Sequence, residues 1–141
     1  MTEFLYRPFL YKDREGKTHR LLKPIIPVFL NHREYSCLVD MVVDSGAEIS
    51  LIPRSTGDVL KLRVYDRAEI EEMHGLGGGI IPVVYREIGL TIGGHSLRAP
   101  VAWSLVEGVP AVLGTERVFD YFHVEFRQSE KKILFKPVKE D

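Results

Sequence analysis

Apolar residues in this chain fall in short runs separated by turn-forming clusters, the pattern of many short β-strands. Residues 4–11 are apolar around Arg7-Pro8, which suits an edge or terminal strand. Asp13-Arg14-Glu15-Gly16-Lys17 predicts a hairpin turn, and residues 21–30 a second strand region interrupted by Pro24 and Pro27. Asn31-His32-Arg33-Glu34 predicts another turn, leading into a strand over residues 35–43. A short apolar run follows at 49–52, then a helical turn over 53–60 and an acidic patch of Glu69, Glu71 and Glu72. Five residues rich in glycine, 75–79, precede the apolar stretch 80–85. Strands at 88–92 and 96–103 flank a Gly93-Gly94 turn, and a third apolar run covers 109–114. Residues 116–121 are the best helix candidate, and 123–126 with 132–136 close the chain as a hairpin. The expectation is a single all-β domain, mostly strand with one short C-terminal helix.

Composition narrows the classes. With 141 residues, 45% of them hydrophobic, the chain is long enough for one globular core. Nineteen basic against twenty acidic residues leave a net charge of −1, so no basic surplus points to nucleic acid. Cys37 is the single cysteine, which excludes a disulfide within the chain and a thiolate cluster; it reads as a small packing residue of a strand. His19, His32, His74, His95 and His123 are scattered, none at a metal-ligand spacing, so neither metal nor cofactor is expected. The first residues lack the unbroken apolar core of a signal peptide, and no segment approaches the roughly 20 apolar residues of a membrane span. A soluble cytoplasmic protein with no membrane partner is the expectation.

One motif does not fit a purely structural sheet. Asp44-Ser45-Gly46-Ala47 follows the apolar strand ending in Val42-Val43. Strand interiors disfavour Asp and Gly, so placing them there adds little to stability. A catalytic loop would use each residue: a carboxylate in a cleft, a hydroxyl that ties the loop, and a glycine that admits close approach. A turn in which Asp and Ser bond their own backbone is the plainer alternative. The glycine run is not a phosphate loop, because Ile80-Ile81-Pro82-Val83 replaces the Lys-Ser/Thr and helix such a loop needs. It reads as a hairpin tip, either a plain surface turn or one that closes over a ligand.

The two signals occur in an order that resembles the retroviral-type aspartic proteases, the retropepsin family. Val42-Val43-Asp44-Ser45-Gly46-Ala47 is similar to the family's apolar-Asp-Thr/Ser-Gly-Ala motif, and Met73 through Val83, containing Gly75-Leu76-Gly77-Gly78-Gly79, is similar to its flap. Ile92-Gly93-Gly94-His95 resembles the turn behind the flap, and Val112-Leu113-Gly114 the apolar-apolar-Gly element beneath the catalytic loop. The resemblance implies a retropepsin-like acid-protease barrel over residues 21–141, with residues 1–20 an N-terminal extension supplying a dimer strand. It implies Asp44 as the catalytic carboxylate, Ser45 as the loop-bracing hydroxyl and Gly46 beside it. Ala47 and Glu48 fall along the substrate backbone. Gly75, Gly77, Gly78 and Gly79 form the flap tip, and Val42, Ile81, Pro110 and Val112 are candidate subsite walls.

Two positions depart from the pattern. Thr115 stands where the family commonly has arginine, with Arg117 the nearest one, so the usual ion pair is absent or differently built. His74 replaces an apolar flap residue and reads as solvent-facing. Aspartic proteolysis needs two carboxylates sharing a proton, and no second Asp-Thr/Ser-Gly is present. Asp40 lies four strand residues before Asp44, roughly 13 Å away, too far to share it. The expected enzyme is therefore a homodimeric aspartic endopeptidase acting on extended peptide or protein substrates, with the apolar termini 4–6 and 133–135 as dimer strands. Two alternatives remain: a retropepsin-fold interaction module without protease activity, and a small β-barrel ligand binder.

Overall fold

The computed structural model describes residues 1–75 and 79–139. The chain runs through β1 (Thr2–Leu5), β2 (Arg7–Lys12), β3 (Thr18–Lys23), β4 (Ile25–His32), β5 (Tyr35–Val43) and β6 (Ser50–Ile52). The short helix α1 (Arg54–Val59) and a 3-10 turn (Arg67–Glu69) precede β7 (Glu71–His74), β8 (Ile80–Ile92) and β9 (His95–Ser104). The chain ends with β10 (Val112–Leu113), β11 (Phe122–Arg127) and β12 (Lys132–Pro137). The fold is mostly β, with one short α-helix among the described residues.

Six strands close into a barrel in the order β4-β5-β10-β6-β9-β8, because β8 returns to pair with β4 at Phe29↔Thr91 and Leu30↔Leu90. Strand β7 extends the sheet outside β8. Closure leaves an inward side for every second residue, and Ile26, Val28 and Leu30 of β4 are all fully buried. They meet Met41 and Val43 from β5, Ile88, Leu90 and Ile92 from β8, and Leu113 from β10. Pro27 sits inside β4 without harm, since β8 joins that strand only from Phe29 to Asn31 and leaves the other edge open at Pro27.

Two sequence expectations change in detail. The apolar segment 4–11 is two strands, split where Tyr6 is buried and its amide donates to the Lys131 carbonyl at 2.8 Å. The short helix lies at Arg54–Val59 and not at the C-terminal end. Residues 116–121 wind as turns instead, because Arg117 has φ +56°, a left-handed conformation that an α-helix cannot contain. The apolar termini, expected as dimer strands, lie in one three-stranded sheet of the chain: β1 is antiparallel to β12, with Phe4 opposite Ile133, and β11 flanks β12, so that β1 and β11 are its edges. Edge-to-face contacts of Phe135 with Phe4 at 5.9 Å and with Phe122 at 5.4 Å hold this three-stranded sheet.

Strands β2 and β3 stand apart as a two-stranded hairpin, Arg7 opposite Lys23 and Lys12 opposite Thr18. Residue 20 falls inside β3, so the extension is continuous with the segment that enters the barrel.

Candidate active site

Asp44 is the first residue after β5 and the start of the connection to β6. Strand β10 threads between these two strands, parallel to β5 (Val112↔Val42, Leu113↔Val43) and antiparallel to β6 (Val112↔Leu51). Both ends of the 44–49 connection are thereby laced to one crossing strand. The Asp44 amide donates to the Leu113 carbonyl at 3.0 Å, the Thr115 amide to Ala47 at 2.9 Å and the Glu116 amide to Glu48 at 2.8 Å. The Gly114 amide donates to Ser50 Oγ at 2.9 Å, deep in the interior. Within the loop, Asp44 Oδ1 accepts the Gly46 amide at 2.8 Å, and the Asp44 carbonyl accepts the Ala47 amide at 3.2 Å.

Gly114 is required by this crossing. A Cβ there would lie 2.7 Å from the Glu48 carbonyl oxygen and 2.8 Å from the Ile49 carbonyl carbon, closer than real Cβ atoms approach. The result is a loop fixed by main-chain bonds while Asp44, Ser45 and Gly46 stand exposed. A rigid carboxylate presented on an open surface can work as an acid, base or anion once something faces it.

Around the loop, Val42 and Val112 are register neighbours, and Val42, Ala47 and Val112 are all half-buried while Glu48 is exposed. Ile81 is half-buried in β8 opposite Met73, in the hairpin that β7 and β8 form. The Gly75 amide donates to the Gly79 carbonyl at 2.9 Å and narrows that hairpin toward its tip. Gly77 and Gly78, with Leu76, lie outside the described residues. Pro82 in β8 accepts the Leu105 amide at 2.9 Å, which ties the hairpin to the segment that carries exposed Pro110 into β10. His74 is exposed opposite Ile80.

The hairpin has a built base. Arg86 Nη2 of β8 pairs with Glu69 Oε2 at 2.7 Å and donates to the Arg63 carbonyl at 2.9 Å. Glu69 Oε1 accepts the amides of Tyr65 (2.8 Å) and Asp66 (3.1 Å), and Asp66 Oδ1 in turn accepts the Ala68 amide at 2.9 Å. The Tyr65 amide, with help from Arg86, holds the Glu69 carboxyl below the usual carboxylate range. In the sequence Glu69 stands only as one of an acidic patch. Ser50 lies within an apolar run, and its lone hydroxyl between Ile49 and Leu51 is the one local signal of its role.

Arg117, the arginine nearest the position where the family pattern calls for one, pairs with Glu87 of β8, and Arg98 Nε lies 3.6 Å from the same carboxylate. The hydrogen bond from Arg117 lowers the pKa of Glu87. The ion pair is thus differently built, and it clamps β8. Asp40 is occupied too, bonded to Arg7 Nη1 at 2.6 Å. Cys37 packs half-buried against the core, and burial raises its thiol pKa, which disfavours the reactive thiolate.

The fold recurs in solved structures. The EIAV protease, complexed with the inhibitor HBY-793, superposes with a TM-score of 0.51 at 17% identity, covering 65% of this chain and 81% of that one. A retropepsin-like aspartic protease from Rickettsia conorii superposes with a TM-score of 0.57 at 13% identity, covering 95% of this chain and 90% of that one. No curated protein matches in sequence. The aspartyl protease family profile matches residues 33–116, a span that begins at the turn before β5, takes in the Asp44 loop and the β7–β8 hairpin, and ends just past Gly114. The chain is therefore a member of the aspartyl protease family, and its fold is retropepsin-like.

Proposed function

We propose that the protein is an aspartic endopeptidase that works as a homodimer, with one Asp44 from each chain. The observation that carries the reading is the Asp44 loop itself: an exposed carboxylate locked by main-chain bonds to β10, in a chain with a single Asp-Ser-Gly. Two carboxylates brought to about 3 Å cannot both ionise, so the pair holds one proton. The ionised Asp44 takes a proton from a water as that water attacks the scissile carbonyl carbon. The protonated Asp44 donates to the carbonyl oxygen. Collapse of the tetrahedral intermediate then passes a proton to the leaving amine.

The β7–β8 hairpin serves as the flap in this reading, its Gly75 and Gly79 offering backbone without side-chain obstruction. Gly77 and Gly78 belong to the same tip in the sequence pattern. Val42, Ala47, Glu48, Ile81, Pro110 and Val112 line the path of an extended peptide, which pairs as an added strand. Ser45 and Gly46 complete the loop at the twofold. The inhibitor complex of the EIAV protease supports a ligand-binding cleft by analogy.

Asp44→Asn keeps the side-chain shape and removes the titratable oxygen. It abolishes peptide cleavage and leaves the dimer intact. Cleavage at the wild-type rate by this variant contradicts the reading. One observation favours the non-catalytic interaction module: Thr115 stands where the family commonly has arginine, and the nearest arginine, Arg117, binds Glu87 of β8. Incubation with a diverse peptide library across several pH values separates the two, since the module leaves every peptide intact.

A further inference from the structure

The proposed mechanism gives the β2–β3 hairpin no task. A free two-stranded hairpin is marginal in water, because it has no third element to bury a face. Its two faces differ. On one, Lys23 Nζ sits 3.9 Å from the Phe9 ring centroid, Tyr11 stacks on His19 at 5.0 Å, and His19 Nε2 meets Asp13 at 2.7 Å. The charged groups of that face are engaged, while Leu21 beside them is 47% exposed. The other carries Leu10 opposite Arg20 and Leu22 opposite Pro8, with Lys12 beyond them. There Leu10 is 64% and Leu22 38% exposed, and among the described residues neither Lys12 nor Arg20 has an acidic partner.

The root of this arm is fixed beside Asp44. Pro24, one residue after β3, accepts the Val43 amide at 2.9 Å, and Ile25 is the register partner of Val42. Arg7, the first residue of β2, bonds Asp40 of β5 at 2.6 Å. The arm therefore leaves the body about one strand spacing, roughly 5 Å, from the strand that delivers Asp44. Its six-residue strands reach about 20 Å. If two Asp44 loops meet at a twofold axis, both arms begin at that junction.

Charge selects what the arm touches. Residues 7–23 hold six basic and two acidic side chains, whereas the rest of the chain holds thirteen basic and eighteen acidic. Arm against arm is repulsive; arm against the body of another copy is attractive.

Resting on the two-Asp44 reading above, we infer that the β2–β3 hairpin is a dimerisation arm whose Leu10, Leu22, Lys12 and Arg20 face grips the acidic body of a second copy of this chain. The test is sedimentation equilibrium over a range of concentrations, with peptide cleavage measured on the same samples. Leu10→Ser with Leu22→Ser removes the apolar contact, and Lys12→Glu with Arg20→Glu inverts the charge. Each pair of substitutions raises the dimer dissociation constant by about 30-fold or more, as loss of a central interface contact does, while cleavage returns at high protein concentration. Hydrogen exchange of the unmodified chain provides the second measurement: arm amides exchange more slowly above the dimer dissociation constant than below it. Arm variants that dimerise as tightly as wild type, with arm exchange independent of concentration, overturn the inference and leave the protease reading standing. A wild-type chain that cleaves peptides as a monomer overturns both. A dimer that needs the arm but cleaves nothing supports the inference and overturns the protease reading.

Discussion

Gly114 and Ser50 show how much of the Asp44 loop is set by single atoms. Gly114→Ala forces a methyl to within 2.7 Å of the Glu48 carbonyl, so either β10 or the loop moves. Displacement of a reacting group by about an ångström can cost on the order of a hundredfold in rate. We expect Gly114→Ala to lower kcat/KM by about that factor, measured on any peptide the wild type cleaves. Ser50→Ala instead strands the buried Gly114 amide without its acceptor, at a cost of about 1–3 kcal/mol in a urea unfolding series. The two residues were unequally legible. Asp44 announced itself because a carboxylate, hydroxyl and glycine make poor strand residues, and Gly114 because it closed an apolar-apolar-Gly element of the family pattern. Ser50 did not, because its partner is 64 residues away and no local pattern reports a bond of that span.

At the level of elements, α1 is held where it is by a contact that only glycine permits. A Cβ on Gly57 would lie 2.0 Å from Trp103 Nε1, the atom that donates to the Arg54 carbonyl at 3.1 Å. Gly57→Ala overpacks this junction, and a loss of about 1–3 kcal/mol in thermal or urea unfolding is the expected outcome despite the better helix former. The Arg117–Glu87 clamp gives a pH signature. Glu87 has a lowered pKa in the folded chain, so its contribution is present above the ordinary glutamate range and fades as pH falls through the lowered value. Wild type is therefore more stable than Glu87→Gln near neutrality, and their unfolding midpoints converge in acid. A gap that widens in acid would contradict the assignment. The strand bounds 35–43 and the hairpins at 31–34 and 93–94 were readable because turn residues and apolar runs are local signals. The helix expected at 116–121 was not, because no local sequence signal marks the left-handed Arg117 that breaks it.

For the whole molecule, the closed barrel explains why a two-residue strand, β10, has such influence. It is a barrel member, so it cannot shift without opening the β5–β6 gap, and its ends fix Asp44 on one side and Ser50 on the other. The Phe4 and Phe135 sheet pairs β1 with β12 within one chain and leaves β1 and β11 as its edges. The barrel's kinship with retropepsins came through the order of the motifs, whereas pairing of the termini within the chain lay beyond it. Apolar strands at both ends read the same whether they pair in one copy or between two.

The central claim is that one active site contains two Asp44 carboxylates from two chains. Mixing wild type with Asp44→Asn under conditions of free subunit exchange tests it directly. Random pairing makes doubly wild-type dimers scale as the square of the wild-type fraction, so an equal mixture retains about a quarter of the cleavage rate of the same total of wild type. A rate of about one half, linear in the wild-type fraction, would mean that each chain cuts alone.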